Sequence, residues 1–353
     1  MSYLLAFGLA FAIAAAATPL VRRLALARGI MDQPSESRKI HRRPVAYLGG
    51  LAIFAGFAVT AAIMVPPSRQ LVALLLGCTV LVAVGAIDDA RSLSPWVKLG
   101  WQFVAAGIAL AGGIGITTVT NPFGGVIDLT AGRFTVDILS LHFHVAPIAN
   151  LLSLLWMVGL ANTMNFLDGL DGLAAGVSGI AAFIIFCLSV GPQVHQPVVA
   201  LLAIVLAGAA FGFLPYNFYP ARIFMGDSGA YFLGLALAML SIYSGAKLAT
   251  AALVLGFPIA DALWAATRRL AKRTSPFRAD RKHFHHLLID AGMSQRQAVL
   301  TLYGVALGFG LVALTADSFT KLLALVGVMF LMAAAIGTLV LVNWFRRRKL
   351  IPK

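Results

Sequence analysis

Carboxylates and amides are concentrated in the stretch "NTMNFLDGLDGL", which lies between two long apolar runs. Asn162, Asn165, Asp168 and Asp171 recur every third residue, so a helical backbone would place them near one face. An ordinary turn between two helices needs one or two such residues, and this stretch has four. Carboxylate and amide oxygens are the ligands that Mg²⁺ prefers. The spacing therefore indicates a site for a hard cation.

A second acidic cluster, "AIDDARSLSPWVK", ends another apolar run with Asp88 and Asp89, and Lys98 follows. Two adjacent carboxylates repel each other, so their presence at a membrane boundary is best explained by a nearby cation. The simpler alternative is a solvated helix end that carries two interfacial acids. We favour the functional interpretation.

Two further motifs supply an aromatic ring and phosphate-binding groups. "YNFYPARIFMGDSGA" contains Phe224 and Asp227, although Gly-Asp-Ser-Gly is also typical of a helix cap. The basic segment "SPFRADRKHFHHLL" suits phosphate better than zinc, because no cysteine or carboxylate completes a convincing four-ligand set. Its imidazoles are those of His283, His285 and His286. Together, the four motifs predict a Mg²⁺-dependent phosphoryl site.

The elements that must position these motifs are transmembrane helices. Sixty per cent of the 353 residues are hydrophobic and 11 % are charged, which excludes an ordinary soluble domain and predicts one all-α integral membrane domain over residues 1–353. Eleven apolar runs approach the length that crosses a bilayer. They lie at about 2–21, 47–65, 71–87, 99–115, 146–163, 173–190, 198–214, 229–243, 248–266, 298–315 and 321–345.

Charged residues distinguish the two membrane faces. If the segment 22–46 is cytoplasmic, the cytoplasmic segments hold 23 of the 27 Lys and Arg residues. This positive-inside distribution predicts an N-terminus outside and a cytoplasmic C-terminus. The net charge of +14 is then explained by orientation and anionic lipid, so no nucleic-acid partner is expected. The expected catalytic loops are about 22–46, 88–98, 162–172, 215–229 and 267–297.

The outer segment 116–145 differs from the other loops because "GGVIDLTAGRFTVDIL" alternates apolar and polar residues about a glycine-containing turn at 130–133. This pattern predicts a small periplasmic or extracellular β-hairpin. Near the opposite face, we expect a groove between the fifth, eighth and ninth runs to hold a lipid substrate. Asp261 is expected to line that groove or to pair with an arginine.

The stretches "DDARSLSP", "NTMNFLDGLDGL", "FMGDSG" and "SPFRADRKHFHHLL" resemble, in order and spacing, the cytoplasmic motifs of the polyprenyl-phosphate N-acetylhexosamine-1-phosphate transferases. The resemblance implies that Asp88 and Asp89 are catalytic and that Asp227 binds Mg²⁺, or Mn²⁺ as a substitute, with Asn165 as a second ligand. Asp171 and Phe224 would hold the uracil. The other implied substrate-binding residues are Lys98, Asp168, Arg278, Arg281, His283, His285 and His286.

The motif "HFHH" is similar to that of the branch that transfers N-acetylglucosamine 1-phosphate from UDP-N-acetylglucosamine to undecaprenyl phosphate, which starts teichoic acid, O-antigen or a similar polymer. The muramoyl-pentapeptide branch usually has an unbroken histidine triplet and remains an alternative. A secondary transporter of an anionic or nucleotide-linked solute is the rival from another class. The expected location is the bacterial cytoplasmic membrane, with the active site facing the cytoplasm. A homodimer is left open.

Overall fold

The structure, a computed structural model, describes residues 2–32, 44–138, 141–192, 194–244, 248–271 and 283–349. Every predicted apolar run coincides with a helix, and the ninth run is divided between two. The helices of this part of the chain are α1 (Ser2–Ala27), α2 (Gly49–Met64), α3 (Arg69–Arg91), α4 (Pro95–Ala111), α5 (Pro147–Leu167), α6 (Leu173–Val190), α7 (Pro197–Asn217), α8 (Gly226–Tyr243), α9 (Leu248–Val254), α10 (Gly256–Ala271), α11 (Phe284–Asp290), α12 (Gln295–Thr315) and α13 (Ser318–Lys349).

Seven of the described helices are long and apolar enough to cross a membrane: α1, α3, α5, α6, α7, α12 and α13. The number rises to eight if α9 and α10, which meet at 79°, form one broken span. The chain is therefore a multi-pass α-helical membrane protein, but eleven crossings are not confirmed. α2, for example, has only 16 residues, or about 24 Å of helix, against a hydrocarbon core of about 30 Å.

α8 is the buried helix that organises the others. Between Gly226 and Ile242, every side chain except that of Asp227 is buried. α2 and α3 approach it through glycines: a Cβ atom at Gly50 would lie 2.1 Å from the backbone N of Gly229, and one at Gly85 would lie 2.4 Å from Ser228 Cα. These close approaches fix the polar start of α8 inside the bundle.

The segment before α8 is also joined to the segment before α2 by backbone hydrogen bonds. The N–H of Phe224 donates to the carbonyl of Ala46 at 2.8 Å, and the N–H of Gly49 donates to the carbonyl of Phe224 at 2.9 Å. Ala46 belongs to β2 (Val45–Ala46), which pairs with β1 (Met31–Asp32). This small pairing, which the sequence did not predict, holds the "IFMGD" segment in place.

The segment 116–145 forms two antiparallel ribbons rather than the single predicted hairpin. β3 (Thr118–Thr120) pairs with β4 (Val126–Asp128), and β5 (Phe134–Ile138) pairs with β6 (Leu141–Val145). The prediction of a hairpin turn at 130–133 was wrong, because that turn connects the two ribbons. Asp128 Oδ1 accepts hydrogen bonds from the N–H and hydroxyl of Thr130 at 2.8 and 2.7 Å, and this local turn ends β4.

Candidate active site

The ends of four helices meet at one edge of the bundle and bring charged side chains together. Lys98, in the first turn of α4, lies between two carboxylates: its Nζ is 3.0 Å from Asp88 Oδ2 at the end of α3 and 2.9 Å from Asp227 Oδ2 at the start of α8. All three side chains are mostly buried, with exposed fractions of 12–22 %. Three of the sequence-predicted residues therefore form one ion-paired cluster.

Asn165 completes the cluster from the end of α5. Its Nδ2 donates to Asp227 Oδ1 at 2.8 Å, so both oxygens of Asp227 have a partner. The side-chain oxygen of Asn165 is then available to a ligand. The structure thus places the two predicted metal ligands, Asp227 and Asn165, in direct contact.

Asp88 is held by the turn that ends α3. Its Oδ1 accepts the backbone N–H of Leu93 at 2.6 Å, and Ser92 closes the helix in the left-handed region with φ 50°. Because one oxygen bonds the turn and the other faces Lys98, the carboxylate has a fixed orientation.

Asp89 points to the neighbouring turn instead. Its Oδ1 accepts the backbone N–H of Asp227 at 2.8 Å, and its Oδ2 accepts the Ser228 hydroxyl at 2.9 Å. Gly226 makes this approach possible: it has φ +69°, and a Cβ atom there would lie 2.3 Å from Asp89 Oδ2. Asp89 therefore positions Asp227. Sequence reasoning missed Ser228, although "GDSG" contained it.

The stretch that contains Asp168 and Asp171 adds negative charge beside this cluster. Burial first, and then the charges of Asp227, Asp89 and Asp171, hold the pKa of Asp168 well above its usual range. Asp171 Oδ2 accepts the backbone N–H of Ala221 at 2.9 Å, in the loop that leads to Phe224. Asp168 is thus a buried acid surrounded by like charges.

The two residues predicted to hold a uracil are connected through one loop, because Asp171 binds Ala221, three residues before Phe224. Phe224 packs beside the ring of Tyr47, with a distance of 5.9 Å between ring centroids.

Asn162, the first of the four residues that recur every third position, turns away from the cluster. Its Nδ2 donates to Gln102 Oε1 at 2.6 Å, so the series does not form one ligand face. Gln102 carried no signal in the sequence.

A buried polar network links α10 to α11. Asp261 Oδ2 lies 2.9 Å from His283 Nδ1, and Asp261 Oδ1 accepts the backbone N–H of Phe284 at 2.8 Å. Nη2 of Arg269 lies 3.4 Å from His283 Nε2. Asp261 therefore pairs mainly with a histidine, whereas the sequence led us to expect an arginine or a lining position. Arg278 and Arg281 lie outside the described residues.

The rings of the three histidines lie next to one another in sequence order. The rings of His283 and His285 are 5.8 Å apart and nearly parallel, and those of His285 and His286 are 4.4 Å apart. His285 packs on Gly169, where a Cβ atom would lie 2.2 Å from Nε2. Burial first, and then the charges of His286 and His283, hold the pKa of His285 well below its usual range. The histidine motif thus contacts the "LDGLDG" loop.

Comparison of the sequence with known proteins identifies the family of this chain. A sequence profile described as glycosyl transferase family 4 matches residues 71–245. A probable undecaprenyl-phosphate N-acetylglucosaminyl 1-phosphate transferase of Bacillus subtilis (strain 168) is 33 % identical over 317 residues, which cover 87 % of this chain and 83 % of the relative. The chain belongs to glycosyl transferase family 4.

Other relatives of this family 4 protein have similar names. The decaprenyl-phosphate N-acetylglucosaminephosphotransferase of Mycobacterium tuberculosis (strain ATCC 25618 / H37Rv) is 35 % identical over 335 residues, covering 86 % of this chain and 78 % of the relative. The undecaprenyl-phosphate alpha-N-acetylglucosaminyl 1-phosphate transferase of Salmonella typhi is 27 % identical over 315 residues, covering 84 % and 79 %. The family resemblance of the sequence motifs is confirmed.

The cluster of the family 4 protein offers oxygen ligands of the kind that Mg²⁺ uses. Asp88 and Asp227 direct oxygens at a single point, now taken by the Lys98 ammonium, and the nearby acids exceed that one positive charge. Within the described ranges, no group of three or more His, Cys, Asp or Glu residues could hold a metal. Mg²⁺ commonly uses only one or two carboxylates and completes its shell with water and substrate phosphates.

An apolar groove of about 270 Å³ runs between α5 and α10 of the family 4 protein. Leu155, Trp156, Phe166 and Leu263 line it, and Asn162 is among its few polar residues. Phe166 also packs against the ring of His283, with the centroids 5.6 Å apart. Phe166 therefore lines the groove and also contacts the histidine motif.

Proposed function

We propose that this protein transfers N-acetylglucosamine 1-phosphate from UDP-N-acetylglucosamine to undecaprenyl phosphate and releases UMP. The observation that carries the proposal is the meeting of Asp88, Lys98, Asn165 and Asp227 at one edge of the bundle. Phosphoryl transfer requires acidic side chains that bind a metal, and positively charged or hydrogen-bonding side chains that bind phosphate. The cluster and the neighbouring histidines provide both kinds of group. Membership of glycosyl transferase family 4 supports the same reaction class.

The names of the relatives support the choice of substrates. Those compared above act, by name, on undecaprenyl or decaprenyl phosphate and an N-acetylglucosamine phosphate donor. We infer undecaprenyl phosphate as acceptor and a cell-surface polymer such as teichoic acid or O-antigen as the product's destination. The motif "HFHH" argues against the muramoyl-pentapeptide branch.

In the proposed reaction, a phosphate oxygen of the lipid attacks the phosphorus that bears the sugar. A bond from that phosphorus to the lipid oxygen forms, and its bond to the bridging oxygen breaks, so that UMP leaves. An acceptor phosphate with a second pKa near 6 is mostly dianionic at neutral pH. The main obstacle is therefore the repulsion between the lipid phosphate and the diphosphate of the donor. Catalysis depends on preorganised positive charge in the site.

The contacts of Asp88 suit an aligning carboxylate or weak base. Both of its oxygens are engaged, by Leu93 N–H and by Lys98, whereas a nucleophile needs a free oxygen aimed at phosphorus. We expect the Lys98 ammonium to release one of its carboxylate partners and to pair with a substrate phosphate when the substrate binds. A phospho-enzyme trapped from UDP-sugar in the absence of lipid would contradict this assignment of Asp88.

We propose Asp227 and the side-chain oxygen of Asn165 as the groups that hold Mg²⁺, or Mn²⁺ in its place, with Asp88 close by. The bound ion would neutralise phosphate charge and polarise the phosphorus–oxygen bond that breaks. His283, His285 and His286, together with Arg278 and Arg281, would bind the diphosphate or the lipid phosphate. Asp171 and Phe224 would bind the uracil.

The proposed setting is the bacterial cytoplasmic membrane, with the catalytic loops in the cytoplasm. The positive-inside distribution of Lys and Arg supports this orientation, with eleven crossings and the N-terminus outside. The groove between α5 and α10 would hold the isoprenoid chain while its phosphate reaches His283. A homodimer stays a prediction.

Membranes that contain the protein test this function directly. With radiolabelled UDP-N-acetylglucosamine and undecaprenyl phosphate, we expect an extractable labelled lipid whose formation stops on chelation of Mg²⁺ and resumes when Mg²⁺ or Mn²⁺ is restored. Asp227→Asn membranes are the matched control. UDP-N-acetylgalactosamine and UDP-N-acetylmuramoyl-pentapeptide, offered as donors in parallel, test sugar choice. Uptake of label into vesicles with no lipid product would instead indicate a transporter.

A further inference from the structure

A second cavity, of about 450 Å³, opens where α7 ends and its following loop begins. Apolar and aromatic side chains line it, among them Phe211, Leu214, Phe218 and Tyr219, and Arg222 stands at its edge. Tyr219 is 41 % exposed, so the cavity is open to its surroundings. None of the described residues assigned to the transfer reaction is among those that line it.

Two further arginines converge on this loop from other helices. Nε of Arg22, from α1, donates to the backbone carbonyl of Arg222 at 3.0 Å. Nε of Arg296, from the first turn of α12, donates to the carbonyl of Tyr219 at 3.3 Å, and its guanidinium lies 5.8 Å from the centre of the Tyr219 ring. Arginines from α1 and α12 therefore both bind the backbone of residues 219–222, the loop segment that also carries Arg222.

The packing of α1 on α7 makes this convergence a fixed feature of the fold. A Cβ atom at Gly208 would lie 2.5 Å from the carbonyl oxygen of Phe7, and one at Gly212 would lie 2.4 Å from that of Phe11. The two helices run parallel in close contact, so Arg22 arrives at the level of Arg222. General attraction of basic residues to one membrane face does not require such a meeting.

Among the described residues, no carboxylate is paired with the three arginines. In the part of the chain that the structure describes, neither Arg22, Arg222 nor Arg296 has a carboxylate within the 4.0 Å of a salt bridge. All three are exposed. Asp171, which does contact this loop, accepts the backbone N–H of Ala221 at 2.9 Å. The positive charge is thus available to an external anion.

We propose that this site binds the headgroup of an anionic phospholipid, with an acyl chain along Phe211, Leu214 and Phe218. The site lies at a helix end of a membrane protein, where lipid phosphates are abundant. Its aromatic and aliphatic wall suits an acyl chain, which a free phosphate or a nucleotide does not carry. Basic pockets between membrane helices are a known means of binding such headgroups.

Native mass spectrometry of the full-length protein, purified in mild detergent, tests the proposal with phosphatidylglycerol and phosphatidylcholine as probes. We expect wild type to retain phosphatidylglycerol in preference. The triple variant Arg22→Gln, Arg222→Gln, Arg296→Gln should bind it at least about tenfold more weakly, since each arginine near a membrane surface contributes to lipid binding. Tyr219→Leu, which keeps all three charges, should weaken binding by about threefold through loss of the ring.

The matched control removes three arginines elsewhere: Arg346→Gln, Arg347→Gln, Arg348→Gln near the end of α13. It should keep most of the preference. Equal loss in both triple variants would show diffuse charge attraction and overturn the proposal, as would equal retention of the two lipids by wild type. Displacement of bound phosphatidylglycerol by excess inorganic phosphate would identify a free-anion site and also overturn it.

Discussion

Asp89 Oδ1 accepts a hydrogen bond from the backbone N–H of Asp227 at 2.8 Å, although 138 residues separate the two in sequence. The contact fixes the turn that presents Asp227 to Lys98 and Asn165. One acid of the "DD" pair thus holds the turn, while the other, Asp88, faces the cation. Adjacent residues on one helix end serve two different purposes.

The role of Asp89 predicts a stability effect. Asp89→Ala should lower the free energy of unfolding by about 1–3 kcal/mol, because a buried N–H and a hydroxyl lose their acceptor. Asp89→Asn should cost less, because the asparagine oxygen can accept the Asp227 N–H and its amide can donate to Ser228 Oγ. The Ser228 hydroxyl can then donate to the Met225 carbonyl, which lies 3.1 Å away. Thermal unfolding in detergent measures both. An unchanged melting temperature in Asp89→Ala would contradict this role.

Lys98 should be required both for transfer and for the stability of the metal-free protein. Lys98→Met leaves Asp88 and Asp227 facing each other without a cation, so we expect activity to fall by about 10²–10³-fold. Added Mg²⁺ should raise the melting temperature of Lys98→Met more than that of wild type. Lys98→Arg is the control that keeps the charge. Equal Mg²⁺ responses in Lys98→Met and wild type would count against a shared cation position.

Gly226 is predicted to tolerate no side chain. Gly226→Ala forces a Cβ atom to within 2.3 Å of the Asp89 carboxylate at a φ of +69°, and the strain should cost roughly 1–3 kcal/mol. Melting temperature and transfer rate should both fall. Gly107→Ala is the control, because a Cβ atom at Gly107 meets nothing within 4 Å. If the two variants behaved alike, the turn would not be as tight as described.

Asp261 is predicted to act through His283. Asp261→Ala should raise the KM for the lipid acceptor by about tenfold or more, because the imidazole loses the partner that fixes its orientation. Asp261→Asn should be milder, and the KM for UDP-N-acetylglucosamine should change less than that for the lipid. Asp290→Asn, at the exposed end of α11, is a matched charge control. Equal effects on the two KM values would indicate a purely structural role.

The environment of His285 predicts a pH effect on stability. Its folded-state pKa lies well below the usual 6.5, so the unfolded chain binds more protons and stability falls as the pH drops below about 6.5. The loss continues down to the folded-state pKa. His285→Gln should flatten the melting temperature between about pH 7 and pH 5. A slope that persists in His285→Gln would assign the effect to another group.

Much of this protein could be predicted from the sequence because its signals are local. Apolar runs of membrane-spanning length mark helices, and each of the eleven runs is helical. Acidic and amide residues such as Asp88, Asn165 and Asp227 stand out in apolar sequence whatever the fold. The candidate site and the family could therefore both be predicted from the sequence. Lys98 was also identified, as the basic residue that follows the acidic pair.

Other features depend on how distant helices pack, and only the tertiary structure decided them. The contacts of Lys98 with Asp227 and of Asp89 with Asp227 span 129 and 138 residues, and no periodicity within a helix specifies such pairs. The partner of Asp261 was decided in the same way, because His283 lies at the start of another helix, α11. Side-chain types determine which contacts are favourable, but packing in three dimensions determines which of them form.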